Sequence, residues 1–434
     1  MKLTKHSRLL AVAVGVALLA TGCSATSAPT SDKLPTNVNT KLNGVTITVW
    51  EANTLQPQYK DLFAAFEKKT GAKIDEVVFP DPFESNLLTK WATGERPDVL
   101  IFQGAAIWLN KLQAEKNLVD LSSLPGVALE KFGLADAAGA ENGKTYGLNI
   151  EYPTLYGLWY NKKVMSDLKT DLPQGFDDLA KTCDAAKAAG VSLTYEAGGD
   201  KWPLQIMPFL LWAGEKDATF AEKLNTNKAE WTDPKITTAF SQYLKLRDQG
   251  CFNSDYKVGT YTGEQTALTT GSTAMVAQGS FMIPDLLKQL GQKKLDETVG
   301  FAPFSAGGPL VQWQPNFAFY LPKNKDSVKL NAAASLLNFA SGPAYQDFIN
   351  TAGTPSALEG FETPSTVPQA IQDADAAFAK QSVGNFQTYM KADYGDFPTI
   401  MSQILVGQIT PEEAGKQMQA TWVKTAKVAG LAGF

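Results

Sequence analysis

The side chains able to do chemistry are limited from the outset by one absence. The only histidine, His6, lies in an N-terminal segment that reads as an export signal, so the processed chain carries none. Histidine-based triads and histidine-ligated zinc are thereby excluded. Paired carboxylates need neither metal nor imidazole to hydrolyse a glycoside. Glu51, Glu151, Asp200 and Asp396 all fall near expected loop ends. Nothing in their spacing singles out an acid/base pair, and carboxylates at loop ends serve more often as solvated caps or as acceptors for a ligand. GAENGKT (139–145) has three residues between its glycines where a phosphate-binding loop needs four, so it reads as a turn. Aromatic residues beside small polar ones are more telling. Trp202 in GGDKWP, Phe281 in GSF, Trp313 in VQWQ and Tyr394 in DYGDF fall at expected loops. Flat rings match the apolar face of a sugar, and Asp, Glu, Asn and Gln match its hydroxyl rim.

These groups need elements to position them. VTITVW (45–50) reads as a strand, and Tyr59, Leu62, Phe63 and Phe66 mark one helix face that Gly71 ends. AKIDEVVF (72–79), FESNLLTKWATG (83–94) and DVLIF (98–102) continue as strand, helix and buried strand. Short loops between them require a parallel sheet with helical crossovers. Ligands bind such sheets beyond the carboxyl ends of the strands, which brings forward Glu51, Asn53 and Thr54, and Gln103 to Ala105. Further on, ENGKTYGL (141–148) carries an Asn-Gly turn, and LYGLWYN (155–161), VSLTYEA (191–197), TAMVAQGSF (273–281) and NFAFYLP (316–322) read as strands. TVGFAPFSAGGPLVQW (298–313) reads as a strand followed by a Gly-rich loop. Helices are expected over 176–190, through most of 208–250, twice within 329–350, and from Ala370 onward except at DYGDFP (393–398).

The first 22 residues combine Lys2, Lys5 and Arg8 with an apolar run from Leu9 to Ala20, too short to span a bilayer. Thr-Gly-Cys follows, and the pattern resembles a lipobox: cleavage before Cys23 and acylation of its thiol. Residues 24–43 have no hydrophobic period and read as a flexible tether. Loss of the leader takes the basic residues from 39 to 36 against 44 acidic ones, and the net charge from −5 to −8. That balance argues against nucleic acid or an anionic lipid surface as partner. Cys183 and Cys251 form no CxxC motif; outside the cell they either pair as a disulfide or stand as two buried thiols.

In order and in detail these pieces resemble the extracellular solute-binding lipoproteins of ABC importers, the branch that includes maltose-binding protein and other oligosaccharide binders. The motifs are VTITVWEANT, LFAAFEKKTGAKI, LLTKWATGERPDVLIF, NGKTYGLNIEYPTLYGLWYNKKV, AAKAAGVSLTYEAGGDKWP, GSTAMVAQGSF, VGFAPF and LVGQITPEEA. The resemblance implies an α/β, two-lobed periplasmic-binding-protein type II-like fold with the ligand cleft between the lobes. Lobe 1 would comprise 44–155 and 314–366, and lobe 2 would comprise 156–313 and 367–434. By position it implies ligand contacts at Glu51, Asn53, Thr54, Gln103, Glu151, Tyr152 and Trp202, with Phe281 and Tyr394 as stacking residues. Phe281 stands where the family often has Trp, and Asn149 replaces the usual Pro after Tyr-Gly-Leu. The function implied is a monomeric, non-catalytic receptor without metal or cofactor. It sits by its lipid anchor on the outer face of the cytoplasmic membrane and delivers an oligosaccharide to permease subunits. In that reading Phe281, Tyr394, Trp202 and Trp313 bury the sugar, while Glu51, Asn53, Gln103, Glu151 and Asp396 hold its hydroxyls. The alternatives are a binder of a polyol, a phosphorylated polyol or a peptide, or a secreted glycoside hydrolase. A phosphate would want cationic side chains, and the loops above offer only Lys201.

Overall fold

A computed structural model describes residues 34–52, 57–80, 83–212 and 219–434. Cys23, the export leader, Asn53 and Thr54 lie outside the described residues. The chain builds two sheets. The first has five strands in the order β2-β1-β3-β12-β6. They are β1 (Thr46–Ala52), β2 (Lys73–Phe79), β3 (Val99–Gln103), β6 (Gly147–Leu148) and β12 (Phe317–Tyr320). β1 pairs parallel with β2 and with β3, whereas β12, which returns from late in the chain, runs antiparallel to β3 with Phe317 opposite Gln103. Between β1 and β2 the helix Pro57–Thr70 buries Tyr59, Leu62, Phe63 and Phe66, as the spacing predicts. Gly71, at φ +77°, ends it in a conformation that L-residues rarely adopt. A separate hairpin pairs β4 (Ala140–Glu141) with β5 (Lys144–Thr145) through Asn142 and Gly143. Both turn residues have positive φ, 52° and 75°, the left-handed pair that an Asn-Gly hairpin favours.

The second sheet runs β13-β11-β7-β9-β8, with β10 also paired to β7. Its strands are β7 (Thr154–Asn161), β8 (Ser192–Thr194), β9 (Thr273–Gly279), β10 (Val299–Ala302), β11 (Val311–Gln314) and β13 (Ser382–Gly384). The central strand β7 is buried along nearly its whole length, so its sequence runs apolar without alternation. The helices Phe176–Ala188, Ile206–Trp212, Pro234–Asp248 and Pro411–Val428 enclose a core around Trp231, Tyr243 and Trp422. Cys183 and Cys251, both fully buried there, are joined in a disulfide, which decides between the two states open from the sequence.

Several expectations are corrected. The segment 298–313 contains two strands flanking the Gly-rich loop, and Trp313 lies inside β11, not in a loop. The strand expected over 191–197 stops at Thr194. β13 has no counterpart in the sequence reading; its three residues attach parallel to β11. No helix among the described residues is long and apolar enough to cross a membrane.

The chain passes from the first sheet to the second between β6 and β7, back between β11 and β12, and across once more between β12 and β13. Asn316, at the return, ties these passages together. Its amide donates to the Tyr152 carbonyl at 2.8 Å, its Oδ1 accepts from the Thr154 hydroxyl at 2.8 Å, and its carbonyl accepts from Gly104 N at 2.9 Å.

Candidate functional site

A cavity of about 350 Å³ lies where the end of β3, the β11–β12 junction and a late segment, residues 387–395, converge. That volume is at the lower end of the range for small-molecule sites. The strand-end rule accounts for one wall: Gln103 closes β3, and Trp108 lies one turn into the helix Ala106–Leu112 that follows. Gln103 donates its amide to Glu84 and Trp108 packs on Phe102 with centroids 5.0 Å apart, so both are held in place. The junction contributes Gln314, Asn316 and Phe317, and the late segment contributes Gln387, Thr388, Asp393 and Tyr394.

Tyr394 is anchored from behind. Its ring stacks on Trp231 at 4.9 Å, and its hydroxyl accepts from the Gln387 amide. Burial raises its hydroxyl's pKa, so it stays a neutral donor and acceptor at ordinary pH. Two contacts bridge the mouth of the cavity. Asn110 donates its amide to the Lys391 carbonyl at 3.1 Å, and Lys111 pairs with Asp393 at 3.2 Å. The same Lys111 ammonium lies 4.7 Å over the Trp108 ring.

Of the residues singled out from sequence, Gln103 and Tyr394 meet at this cavity. Trp202 and Phe281 form a second aromatic group, 5.8 Å apart, with Tyr261 packed 4.9 Å from Trp202 and Tyr156 set 6.3 Å edge-on to Phe281. Phe281 is 39 % exposed, the one ring of that group open to solvent to such a degree. Asp200 accepts from Tyr261 N at 2.7 Å, in the first turn of the helix that Thr260 caps. Asp396 caps the helix Phe397–Leu405 by accepting from Thr399 N at 3.2 Å. These are the helix-start roles that acidic residues fill most often.

Of the remaining residues, Trp313, Tyr152 and Glu51 are buried and Glu151 is half-buried. Trp313 packs on Phe378 at 6.1 Å, and Tyr152 packs on Phe132 and Phe378 while its hydroxyl donates to Asp375. Glu51 is buried at the end of β1, and burial followed by the neighbouring Glu76 pushes its carboxyl up to about 8. Glu151 accepts from the Tyr59 hydroxyl at 2.7 Å and from Phe317 N at 3.4 Å, bridging the first core to a residue that lines the cavity. Burial pushes it up to about 7 against those two hydrogen bonds.

Sequence reasoning missed Trp108, Gln314, Asn316, Phe317, Gln387, Thr388 and Asp393. Trp108 was within reach of the strand-end rule, one helical turn beyond Ala105. The polar run Gln314-Pro-Asn316 between two strands was a second available signal.

The family model for bacterial extracellular solute-binding proteins matches residues 61–379, well over half of the sequence. The chain belongs to that family. Its members act outside the cytoplasm as solute binders, and the cavity between the two sheets is this chain's solute-binding candidate. A comparison with curated protein sequences gave no match. Among solved structures, the fold is similar to that of a chitin oligosaccharide binding protein, with a TM-score of 0.75 at 20% identity over 88% of this chain and 99% of the other. It is similar also to RafE in complex with raffinose, with a TM-score of 0.72 at 21% identity over 87% and 98% of the two chains. The GacH receptor of Streptomyces glaucescens, solved unliganded and with acarbose, gives 0.66 at 20% identity over 88% and 98%. At these identities the likeness establishes the two-lobed fold of this solute-binding protein.

Proposed function

We propose that this solute-binding protein captures a carbohydrate, an oligosaccharide, and hands it to the permease subunits of an ABC importer. The observation that carries the reading is the make-up of the cavity: its lining combines the rings of Trp108, Phe317 and Tyr394 with the amides of Gln103, Gln314, Asn316 and Gln387. Rings cover the apolar faces of a sugar, and amides both donate to and accept from its hydroxyls. Among the described residues the lining offers no free cation: Lys111, at the mouth, is already paired with Asp393, which weighs against a phosphorylated ligand. Structural neighbours that bind chitin oligosaccharide, raffinose and acarbose lend the reading further support.

Residues 44–155 and 314–366 form one lobe and 156–313 and 367–434 the other, the divisions falling within two residues of the start of β7 and the end of β11. The ligand's extra contacts in the closed state supply the free energy of closure. Cleavage before Cys23 and its acylation hold the protein, a monomer, at the outer face of the membrane. It performs no catalysis. The aromatic group whose open ring is Phe281 offers a second contact surface for a longer ligand.

Thermal-shift and calorimetric titration against chitin oligosaccharides, raffinose, acarbose and xylo-oligosaccharides tests this. At least one should raise the melting temperature by mass action. Trp108→Ala should then weaken that sugar at least tenfold. A panel without heat or shift, beside a response to polyols or peptides, overturns the carbohydrate reading, and shortened sugar products would favour a hydrolase. Retention of a Cys23→Ser variant at the membrane would overturn the anchor.

A further inference from the structure

Asn316 stands where the chain leaves one sheet and enters the other. The ladder between β11 and β7 ends at the pair Gln314–Thr154, and the ladder between β12 and β3 begins at Phe317–Gln103. Pro315 and Asn316 lie between them in neither ladder, and Pro315 has no N–H to give. The Asn316 side chain supplies the missing rungs on one side. Its amide donates to the Tyr152 carbonyl at 2.8 Å, and its Oδ1 accepts from the Thr154 hydroxyl at 2.8 Å. Its carbonyl supplies the rung on the other side, accepting from Gly104 N at 2.9 Å.

Thr154 takes part in this arrangement without touching the cavity. It is only 2 % exposed, and it is not among the lining residues. Among the described residues its hydroxyl bonds Asn316 alone. The Tyr152 carbonyl can only accept, so it turns the amide nitrogen toward itself and the oxygen toward Thr154. Without the hydroxyl, Asn316 Oδ1 loses that donor and the side chain is held at one end. The segments that Asn316 joins carry much of the cavity wall: Gln103 and Gly104 at the end of β3, and residues 314–317 at the junction.

We propose that Thr154 is a positioning residue for solute binding: acting through Asn316, it pins the β11–β12 junction to the start of β7 and holds the cavity ready in the geometry that takes the ligand. This rests on the carbohydrate reading and deepens it. The pin lies where the chain crosses between the sheets, so loosening it lets the wall that carries Gln103 and the wall that carries Tyr394 sample more spacings. The ligand must then order on binding what the pin had ordered beforehand, and affinity falls although no ligand contact is removed.

The experiment uses the full processed chain and, as probe, whichever of chitotriose, raffinose, acarbose and xylotriose raises the wild-type melting temperature most. Valine keeps the shape of threonine and removes the hydroxyl. Thr154→Val should weaken that sugar about fivefold or more, the worth of one hydrogen bond, and Thr154→Ser should bind close to wild type. Thr154→Val should add nothing to the loss in Asn316→Ala, because both break the same pin. Equal affinity in wild type and Thr154→Val overturns the proposal, as does an additive loss in the double variant. A sugar-free Thr154→Val that melts several degrees below wild type also overturns it, since the hydroxyl would then serve the stability of the fold. If no sugar binds the wild type, the carbohydrate reading fails and the pin is decided without ligand. Asn110→Cys and Lys391→Cys put thiols across the mouth, where the Asn110 amide meets the Lys391 carbonyl. A short bismaleimide should bridge them several-fold more slowly when Thr154→Val is added, and equal rates overturn the proposal.

Discussion

Glu151 allows a discriminating measurement, because a ligand acceptor and a core anchor titrate differently. Its carboxyl accepts from Tyr59 at 2.7 Å and from Phe317 N at 3.4 Å, and burial pushes its pKa from 4.5 to about 7. A carboxyl whose folded value lies above its unfolded one binds more protons in the native state across that interval. Its contribution to stability is therefore complete below pH 4.5 and is lost as pH rises through about 7. At 1.36 kcal/mol per pH unit the loss comes to about 3 kcal/mol. Glu151→Gln keeps the acceptor for Tyr59 but cannot ionise. Urea unfolding of both proteins, followed by tryptophan fluorescence at pH 4.5, 6, 7 and 8, isolates the effect, since Glu130 and Glu196, raised by burial as well, titrate in both. The wild-type advantage over the variant should shrink by about 3 kcal/mol across the range. Parallel curves would mean that Glu151 ionises like a solvated carboxylate, as a free ligand acceptor in an open cleft would, and the anchoring role would fall.

Three further outcomes are expected. Asn149 donates its N–H to Glu130 at 3.1 Å and its amide at 2.8 Å; Asn149→Pro removes both and strands a buried carboxyl, costing about 3 kcal/mol in chemical unfolding, most of it recovered in the double variant with Glu130→Met. The Cys183–Cys251 bridge closes a loop of sequence separation 68, for which chain entropy gives about 4 kcal/mol; Cys183→Ala with Cys251→Ala should lower the melting temperature by several degrees, and unreduced, unfolded wild type should take up no iodoacetamide at these cysteines. Lys111→Ala should change stability by less than about 1 kcal/mol, because the pair with Asp393 is exposed, and should remove most of the salt dependence of the sugar association rate measured by stopped flow.

The first sheet was legible because its signals are local. Tyr59 to Phe66 repeat at helical spacing, Gly71 stops them, and the strands on either side are short apolar runs. Alternation failed where both faces of a strand are covered. In β11, Gln312 is as buried as Trp313, its amide donating to the Phe209 carbonyl at 2.5 Å, so nothing in the sequence marked Trp313 as interior. Aspartates at loop ends were ambiguous for a different reason: Asp200 and Asp396 accept from first-turn helix N–H groups with the same oxygen atoms that a sugar would use. The cavity itself is the least legible feature. Asn110 touches Lys391 across 281 residues, and no periodicity reports a contact of that range. Gln103 and Tyr394 were found separately, one by the strand-end rule and one as a ring in a Gly-rich loop, while the amides between them carry no pattern.

The distribution of contacts across the cleft bears on how it moves. At the hinge side, Asn316 on the returning segment makes two hydrogen bonds of 2.8 Å to the outgoing one, at Tyr152 and Thr154, and one of 2.9 Å to Gly104 at the end of β3. At the mouth stand one amide–carbonyl bond and one ion pair whose Asp393 side chain is 55% exposed. Exposed pairs contribute about 0–1 kcal/mol, and a single hydrogen bond contributes about as much. In the proposed cycle, opening therefore breaks the weak set and keeps the strong one. Mouth contacts of that size leave open and closed forms within a few kcal/mol of each other, so a ligand that bonds Gln103 on one wall and Tyr394 on the other decides the balance. A receptor that must release its cargo needs this arrangement: stronger contacts at the mouth would hold it shut whether or not the cavity were filled.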